Sequence, residues 1–205
     1  NLSGPRPPKI FLGVHNTHSM GHHTFNASRA DKLERAGRRY RYLSAEELLW
    51  ALDLDGDQSV VDLGSGTGFY TDDVAPHAGL VHAVDIQPAM HEYYRDKGVP
   101  ENVDLLTTEV ADLPFSDGSI DAAFSTMTYH EFASEAGLAE IHRMLAPTGR
   151  LVVVDWAATG TGSAGPPVDE RFTATEATDA LREAGFRTDH VAVRPETFLI
   201  IATRN

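Results

Sequence analysis

Apolar and polar residues alternate in blocks from residue 59 to the end of the sequence. Five apolar runs, at 59–63, 80–85, 103–107, 120–125 and 151–156, are short and rich in Val, Ile and Leu, as expected of strands buried on both faces. Helices are predicted between them, near 67–75, 88–97, 135–145 and 173–184. This strand–helix alternation predicts a parallel sheet with helices on both faces, an α/β fold of the doubly wound type.

The end of the chain departs from this alternation. Two apolar runs, 190–193 and 198–203, are separated only by Arg194-Pro195-Glu196-Thr197, a composition typical of a hairpin turn. Because a hairpin joins antiparallel strands, the last strand is expected to run against the others.

The residues before the first strand have a different character. Residues 1–19 are rich in Pro and Gly and lack periodicity, which predicts a disordered tail or extra residues ahead of a start at Met20. Residues 28–52 are predicted to be helical, with Ser44 and Glu47 at the spacing of a capping box. The chain is therefore divided into a tail (1–19), a helical N-terminal segment (20–58) and one α/β domain (59–205).

The amino-acid composition and the net charge narrow the range of expected binding partners. The 205 residues, 41% of them hydrophobic, suffice for one core, and a net charge of −13 repels nucleic acid and anionic membranes. The only basic cluster, 35–41, is flanked by Glu34 and by Glu46 and Glu47. The few lysines suggest a halophilic source, or a GC-rich genome that favours arginine. No run approaches the roughly 20 apolar residues of a membrane span, so a cytoplasmic protein without membrane insertion is expected.

Four histidines, His15, His18, His22 and His23, raise the question of a metal site, whereas the absence of cysteine excludes thiolate ligands and disulfides. The alternatives are a native metal site, adventitious metal affinity, or a tail that continues into a lid. The flanking Gly and Pro residues supply no fixed ligand geometry, which favours the tail. No metal is therefore expected.

A glycine-rich turn follows the first strand. Gly64, Gly66 and Gly68 form G-x-G-x-G, preceded by Asp62, whereas the dinucleotide motif is G-x-G-x-x-G. Glycines at this place let the backbone approach a ligand at the carboxyl edge of the sheet. The carboxylate suits a cationic ligand group, such as an amino-acid ammonium. A tight turn without a ligand is the alternative.

Two further acids follow strands. Asp85 ends the second strand, where a carboxylate can accept hydrogen bonds from both hydroxyls of a ribose; a helix N-cap is the alternative. Asp112 follows the third strand and could accept from the exocyclic amine of adenine, with Ile86 and Leu113 on the two faces of the ring. Its alternative is an ordinary turn aspartate.

Four stretches in this order resemble the class I S-adenosylmethionine-dependent methyltransferases: VVDLGSGTGFYT, HAVDIQPAM, VADLPFSDGSIDAAFS and EIHRMLAPTGRLVVVDW. The likeness covers about residues 40–205, and the last two stretches are similar to the ubiquinone/menaquinone C-methyltransferase-like subgroup. It implies a Rossmann-like seven-stranded sheet of order 3-2-1-4-5-7-6 with strand 7 antiparallel. It also implies S-adenosylmethionine as cofactor and S-adenosylhomocysteine as product.

The resemblance assigns roles by position. The implied donor site consists of Asp62, Gly64, Ser65 and Gly66 at the methionine end, Asp85 and Ile86 at the ribose, Ala111, Asp112 and Leu113 at the adenine, and Ser125 and Thr126 near the sulfonium. Residues 20–58 are expected to form a lid in which Phe25, Tyr40 and Tyr42 cover the sulfonium. Packing of these aromatic groups between helices is the alternative.

The loop after the fourth strand carries candidate proton acceptors, Tyr129, His130 and Glu131. His130 is either a general base or acceptor-orienting group, or a structural histidine. The loop lacks the Asn/Asp-Pro-Pro-aromatic signature of DNA amino-methyltransferases, and the chain lacks the cysteines of arsenite methyltransferases. We therefore expect in-line methyl transfer to a small molecule, without a nucleic acid partner, by a monomer or homodimer. The alternatives are a non-catalytic adenosyl-ligand-binding protein and a nicotinamide-dependent oxidoreductase.

Overall fold

Seven strands and seven α-helices make up residues 27–205, the part of the chain that the computed structural model describes. The strands are β1 (Ser59–Leu63), β2 (Leu80–Asp85), β3 (Val103–Thr107), β4 (Ile120–Thr126), β5 (Leu145–Trp156), β6 (Phe186–Val193) and β7 (Thr197–Arg204). The helices are α1 (Ala36–Arg39), α2 (Ala45–Leu52), α3 (Phe69–Val74), α4 (Pro88–Lys97), α5 (Tyr129–Phe132), α6 (Glu135–Met144) and α7 (Ala174–Glu183). The predicted tail 1–19, the four clustered histidines and Phe25 lie outside the described residues.

The strands form a single sheet in the order β3-β2-β1-β4-β5-β7-β6. Neighbouring strands from β3 to β5 are parallel, and β7 runs antiparallel to both β5 and β6. The predicted Rossmann-like doubly wound fold, its strand order and its antiparallel strand 7 are confirmed. In this topology the carboxyl ends of β1, β2, β4 and β5 meet at one edge of the sheet, which is where such folds bind ligands.

Two apolar layers, one on each face of the sheet, form the core. Val60 and Val61 of β1 show the principle, because successive side chains of a strand point to opposite faces and both are fully buried. Helices α2, α3 and α4 contribute to the layer that contains Val60, and α6 and α7 to the layer that contains Val61. Burial on both faces explains why the strands read as continuous apolar runs.

Several boundaries match the sequence prediction, whereas β5 does not. Strand β5 begins at Leu145 rather than at residue 151, and the predicted turn at 147–149 is an irregularity within it. The pairing with β4 shifts between Ile120 and Ala122, and Thr148 has a φ of 65°. The extra residues are thus accommodated as a bulge. Helix α5 was not predicted, because a four-residue helix shows no apolar periodicity.

The region 28–52, which was predicted to be helical, consists of a 3-10 helix (Ala27–Lys32) and the separate helices α1 and α2. Ser44 has the extended ψ of 158° of an N-cap and accepts a hydrogen bond from the N–H of Glu47 at 3.2 Å, so a new helix begins there. The side chain of Glu47 binds Arg194 instead of completing a capping box. Arg194 also donates to the carbonyl of Tyr42 at 2.8 Å, which ties the segment to the β6–β7 hairpin.

Candidate active site

A cavity of about 700 Å³ opens at the carboxyl edge of the sheet. Its wall combines the glycine turn after β1, the end of β2, the segment after β3, the loop after β4, the end of β5 and the N-terminal residues 32–42. Because its volume falls within the range of small-molecule and cofactor sites, we treat it as the candidate active site.

The glycine turn lies against both neighbouring strands. The N–H groups of Gly64 and Ser65 donate to the carbonyl of Val84 at 2.9 and 2.8 Å, which fixes the turn on β2. Gly64 has a φ of 78°, and a Cβ there would lie 2.3 Å from Cγ2 of Thr128. Only glycine permits both this conformation and this close approach. The turn therefore forms a cradle without side chains at Gly64 and Gly66.

Asp85 connects the turn to the end of β2. Its carboxylate accepts from the N–H of Gly66 and from the N–H of Gln87, both at 2.8 Å, and burial raises its pKa above the usual aspartate range. The side chain is only 9% exposed and lines the cavity, as does the neighbouring Ile86. These contacts hold a carboxylate where the prediction places the ribose.

Asp62 lies beneath the turn rather than in the wall of the cavity. It is 1% exposed, its Oδ2 accepts from the hydroxyl of Thr71 at 2.7 Å, and its Oδ1 is buried without a hydrogen-bond partner. Burial raises the pKa of Asp62 to about 7, although the Thr71 hydrogen bond and the charge of Arg39 act against it. An orphaned carboxylate oxygen beside the turn fits a cationic ligand group.

The segment after β3 differs in part from the prediction. Ala111 lines the cavity, whereas Asp112 is solvent-exposed and Leu113 is buried in the core, and neither contributes to the wall. The predicted sandwich of a ring between Ile86 and Leu113 is therefore not formed by these side chains. Val110, which sequence reasoning overlooked, lines the cavity instead. A single buried apolar residue in the segment after β3 carries no sequence signal of its own.

His130 is held by an acid from the next strand. Its Nδ1 lies 3.0 Å and its backbone N–H 2.7 Å from Oδ2 of Asp155, the buried penultimate residue of β5. Burial alone would lower the pKa of His130, but the hydrogen bond and charge of Asp155 outweigh it and the pKa is raised. With Nδ1 donating to the carboxylate, Nε2 is left as the proton acceptor. Asp155 was not predicted, although an acid at the carboxyl end of a buried strand was the available signal.

Glu131 lines the cavity beside His130, with 3.9 Å between Nε2 and its Oε1. Burial raises the pKa of Glu131 to about 7. Tyr129 differs from both, because it is fully buried among Phe132, Phe172 and Phe198 and is absent from the cavity wall. Its predicted role as a proton acceptor is therefore corrected to a core position.

The end of β4 and the N-terminal segment complete the wall. Ser125 is fully buried and does not line the cavity, whereas Thr126 does. Tyr42 lines the cavity and meets Trp156 edge to face with ring centroids 4.7 Å apart, a pairing that sequence reasoning did not find. Tyr40 is outside the wall; it packs on Phe69 and donates to Asp73 at 2.9 Å.

Residues 27–205 offer neither a metal centre nor a membrane span. They contain no group of three or more His, Asp or Glu side chains arranged to hold a metal ion. Within the same range, none of the helices has both the length and the apolar character needed to cross a bilayer.

Known proteins resemble this chain in sequence and in structure. Residues 61–153 match the family described as a methyltransferase domain. A demethylmenaquinone methyltransferase from Corynebacterium kroppenstedtii is 35% identical over 106 residues, covering 51% of this chain and 44% of that protein. An uncharacterised methyltransferase-like protein from Schizosaccharomyces pombe is 34% identical over 109 residues, covering 51% of this chain and 42% of that protein. The chain thus spans less than half the length of these two relatives.

A solved structure matches over nearly the whole chain. A SAM-dependent methyltransferase from Aquifex aeolicus superposes with a TM-score of 0.79 at 28% identity, covering 89% of this chain and all of that one. This match covers far more of the chain than residues 61–153. Taken with the strand order and the glycine turn, these matches support a class I S-adenosylmethionine-dependent methyltransferase with S-adenosylmethionine as cofactor.

Proposed function

We propose that the protein transfers the methyl group of S-adenosylmethionine in line to a small-molecule acceptor. The observation that carries this proposal is the arrangement at the carboxyl edge of the sheet. There Asp85, fixed by the N–H groups of Gly66 and Gln87, faces a cavity that a glycine cradle leaves open. This arrangement suits an adenosyl ligand, whose ribose hydroxyls a carboxylate can bind.

The donor is proposed to lie along this edge. The methionine end is assigned to the turn of Gly64, Ser65 and Gly66, above the orphaned oxygen of Asp62. Asp85 and Ile86 are assigned to the ribose, and Val110 and Ala111 to the adenine. Asp112 and Leu113 are kept only for backbone contacts of this segment, since neither side chain reaches the wall.

The donor supplies a methyl group that is already activated by the sulfonium. The chain must therefore orient the acceptor, exclude water and take up a proton where the acceptor carries one. Nε2 of His130 is proposed to accept that proton, with Asp155 fixing the ring and stabilising the imidazolium. Glu131 is a second group able to exchange a proton near neutral pH.

The acceptor is proposed to be small because the cavity of about 700 Å³ must hold it together with the donor. Tyr42 and Trp156 line the cavity with two aromatic rings inclined at 67° to each other, which suits an aromatic molecule. Quinones and phenols come first in a screen, since one relative is a demethylmenaquinone methyltransferase.

The experiment has two stages. Calorimetry with S-adenosylmethionine, S-adenosylhomocysteine and NAD tests the donor; binding of NAD without either adenosyl ligand would overturn the proposal in favour of an oxidoreductase. A screen of small planar acceptors, scored by release of S-adenosylhomocysteine, then tests the activity. Adenosyl binding combined with no turnover on any acceptor class would support a non-catalytic binding protein.

A further inference from the structure

The loop between β5 and α7, residues 157–173, has no task in the proposed function although it forms part of the cavity wall. Four of its residues line the cavity: Gly165, Pro166, Pro167 and Glu170. The family match ends at residue 153, so the loop lies outside it. Binding specificity commonly resides in loops that a rigid scaffold positions, which makes this loop a candidate for setting the choice of acceptor.

The loop is held in place by Arg171, which is fully buried. Its guanidinium donates twice to the carbonyl of Pro166, at 2.8 and 3.0 Å. At the base of the loop, the N–H of Ala158 donates to the carbonyl of Phe172 at 2.9 Å. Because these hydrogen bonds fix the backbone on both sides of Glu170, its side chain is presented to the cavity from a rigid support.

Glu170 acts on the two titratable groups at the proposed acceptor end of the cavity. Burial lowers the pKa of His130 and raises that of Glu131, whereas the charge of Glu170 raises both pKa values. The charge of Asp155 acts on both groups in the same direction. Three carboxyl groups thus surround one imidazole, and the loop supplies one of them.

The lysine and arginine side chains of the cavity wall come from another part of the chain. Within the described residues they are Lys32, Arg38 and Arg39, and all three belong to the N-terminal segment. Neither the loop after β4 nor the loop after β5 adds a lysine or arginine to the wall. An acceptor placed against His130 therefore meets negative charge, which attracts a cationic group and rejects an anionic one.

We propose that Glu170 determines the acceptor specificity, and that the acceptor is an aromatic molecule carrying an ammonium group that Glu170 binds. This inference rests on the proposed function, because it deepens the description of the acceptor in that site. Tyr42 and Trp156 hold the aromatic body, and Glu170 binds the ammonium by a charge-assisted hydrogen bond. A carboxylate at the same place on the acceptor is repelled by the same charges.

The test uses three phenols with the same ethyl side chain. Tyramine carries an ammonium on this chain, p-ethylphenol carries no charge, and p-hydroxyphenylpropionate carries a carboxylate. Calorimetry measures their binding to the protein saturated with S-adenosylhomocysteine, at about pH 8, where Glu131 with its pKa of about 7 is ionised. Tyramine is expected to bind at least about tenfold more tightly than p-ethylphenol, and the carboxylate most weakly.

Two substitutions of Glu170 test its part in this preference. Glu170→Gln should reduce the preference for tyramine over p-ethylphenol to less than about threefold, because the charge of the binding group is lost. Glu170→Lys places a cation at the same position and should bring the carboxylate ahead of tyramine. Asp169→Asn is the matched control, since it removes the same charge from the adjacent residue, which is exposed and outside the cavity wall. D169N should retain the preference of the wild type.

Several results would overturn the proposal: equal binding of the three phenols, a preference of the wild type for the carboxylate, no binding of any phenol, an undiminished preference in E170Q, or the same loss in D169N as in E170Q. Failure of the wild type to bind S-adenosylhomocysteine would instead overturn the proposed function. The two failures are therefore distinguishable.

Discussion

At the scale of single residues, His130 is the group whose replacement should affect turnover most. Its Nδ1 is occupied by Asp155, so its Nε2 is the proposed base. We expect His130→Asn to lower methyl transfer at saturating donor tenfold or more, in keeping with the contribution of a general base. Release of S-adenosylhomocysteine measures the effect. His142→Asn is the control, because this histidine packs on Phe186 away from the cavity; equal turnover of wild type and H130N would remove His130 from the mechanism.

The pair of His130 and Asp155 also predicts how the rate of methyl transfer depends on pH. Because the pKa of His130 is raised and the base must be neutral, kcat/KM should increase with pH through a pKa above the ordinary histidine value of about 6.5. Asp155→Asn removes the charge that raises this pKa, so the profile of D155N should move to lower pH. A profile that does not move would show that Asp155 does not act on the catalytic base.

The raised pKa of Asp62 predicts that a proton is released when the donor binds. With a pKa of about 7, its carboxyl is mostly protonated in the free protein at pH 6, and an ammonium placed beside it favours the ionised form. S-adenosylhomocysteine binding should therefore release close to one proton at about pH 6 and almost none at about pH 8.5. Calorimetry in buffers of different ionisation enthalpy measures the number.

Glu131 provides the control for this measurement, because its pKa is also about 7 and it lines the cavity. The release should persist in Glu131→Gln and disappear in Asp62→Asn; the opposite result would assign the proton to Glu131.

The raised pKa of Asp62 also predicts how the stability of the free protein depends on pH. Because the pKa of Asp62 in the folded protein is above its unfolded value of about 4, the contribution of Asp62 to stability should be greatest below pH 4. This contribution should be lost as the pH rises towards 7.

At the scale of elements, the packing of the glycine turn against α4 predicts a large effect of one methyl group. Gly68 has a φ of 78°, and a Cβ there would lie 2.1 Å from the ring of Tyr94. Gly56 also has a positive φ, 103°, but a Cβ there would meet nothing within 4 Å. Gly68→Ala should therefore destabilise the protein by at least about 2 kcal/mol more than Gly56→Ala, which carries backbone strain alone.

Denaturant unfolding of the two variants measures this difference. In a Tyr94→Ala background the ring is absent, so the two glycine substitutions should cost similar amounts. An undiminished difference in that background would mean that the collision with Tyr94 is not the cause.

Helices and strands were predictable from the sequence wherever burial requires a run of apolar residues. β1, β2, β3 and α4 have the predicted bounds because both faces of the strands are covered and apolar runs mark them directly. The site was predictable where it depends on strand ends, as at Asp85 and His130. It was not predictable where it depends on contacts across the chain, such as Asp155 with His130 or Tyr42 with Trp156, since no local pattern records which side chains meet.

At the scale of the whole molecule, the net charge of −13 predicts a dependence on salt. Repulsion among the acidic groups opposes the compact state, and salt screens it, because the Debye length falls from about 10 Å at 0.1 M to about 3 Å at 1 M. The melting temperature should therefore rise as KCl is raised from low to molar concentration. A melting temperature that stays level or falls would contradict this, and would also remove the halophile hypothesis.

The remaining whole-molecule expectations stay predictions. A cytoplasmic location, the absence of a nucleic acid partner and the choice between monomer and homodimer all follow from charge, composition or resemblance. So does the division into a tail (1–19), a lid (20–58) and a methyltransferase domain (59–205), of which the N-terminal 26 residues lie outside the described part. Sedimentation of the purified protein decides the oligomeric state directly.

The two tryptophans have a practical consequence for all of these measurements. Trp156 is 8% exposed in the cavity wall, against Tyr42 and beneath the guanidinium of Arg171, whereas Trp50 is 60% exposed on α2 beside His190. Because their indoles lie in surroundings of different polarity, we expect the two tryptophans to emit at different wavelengths. A Trp50→Phe variant retains one tryptophan, at the wall where donor and acceptor are proposed to meet. The protein thus contains its own optical reporter of cavity occupancy, which needs no label and no knowledge of the acceptor.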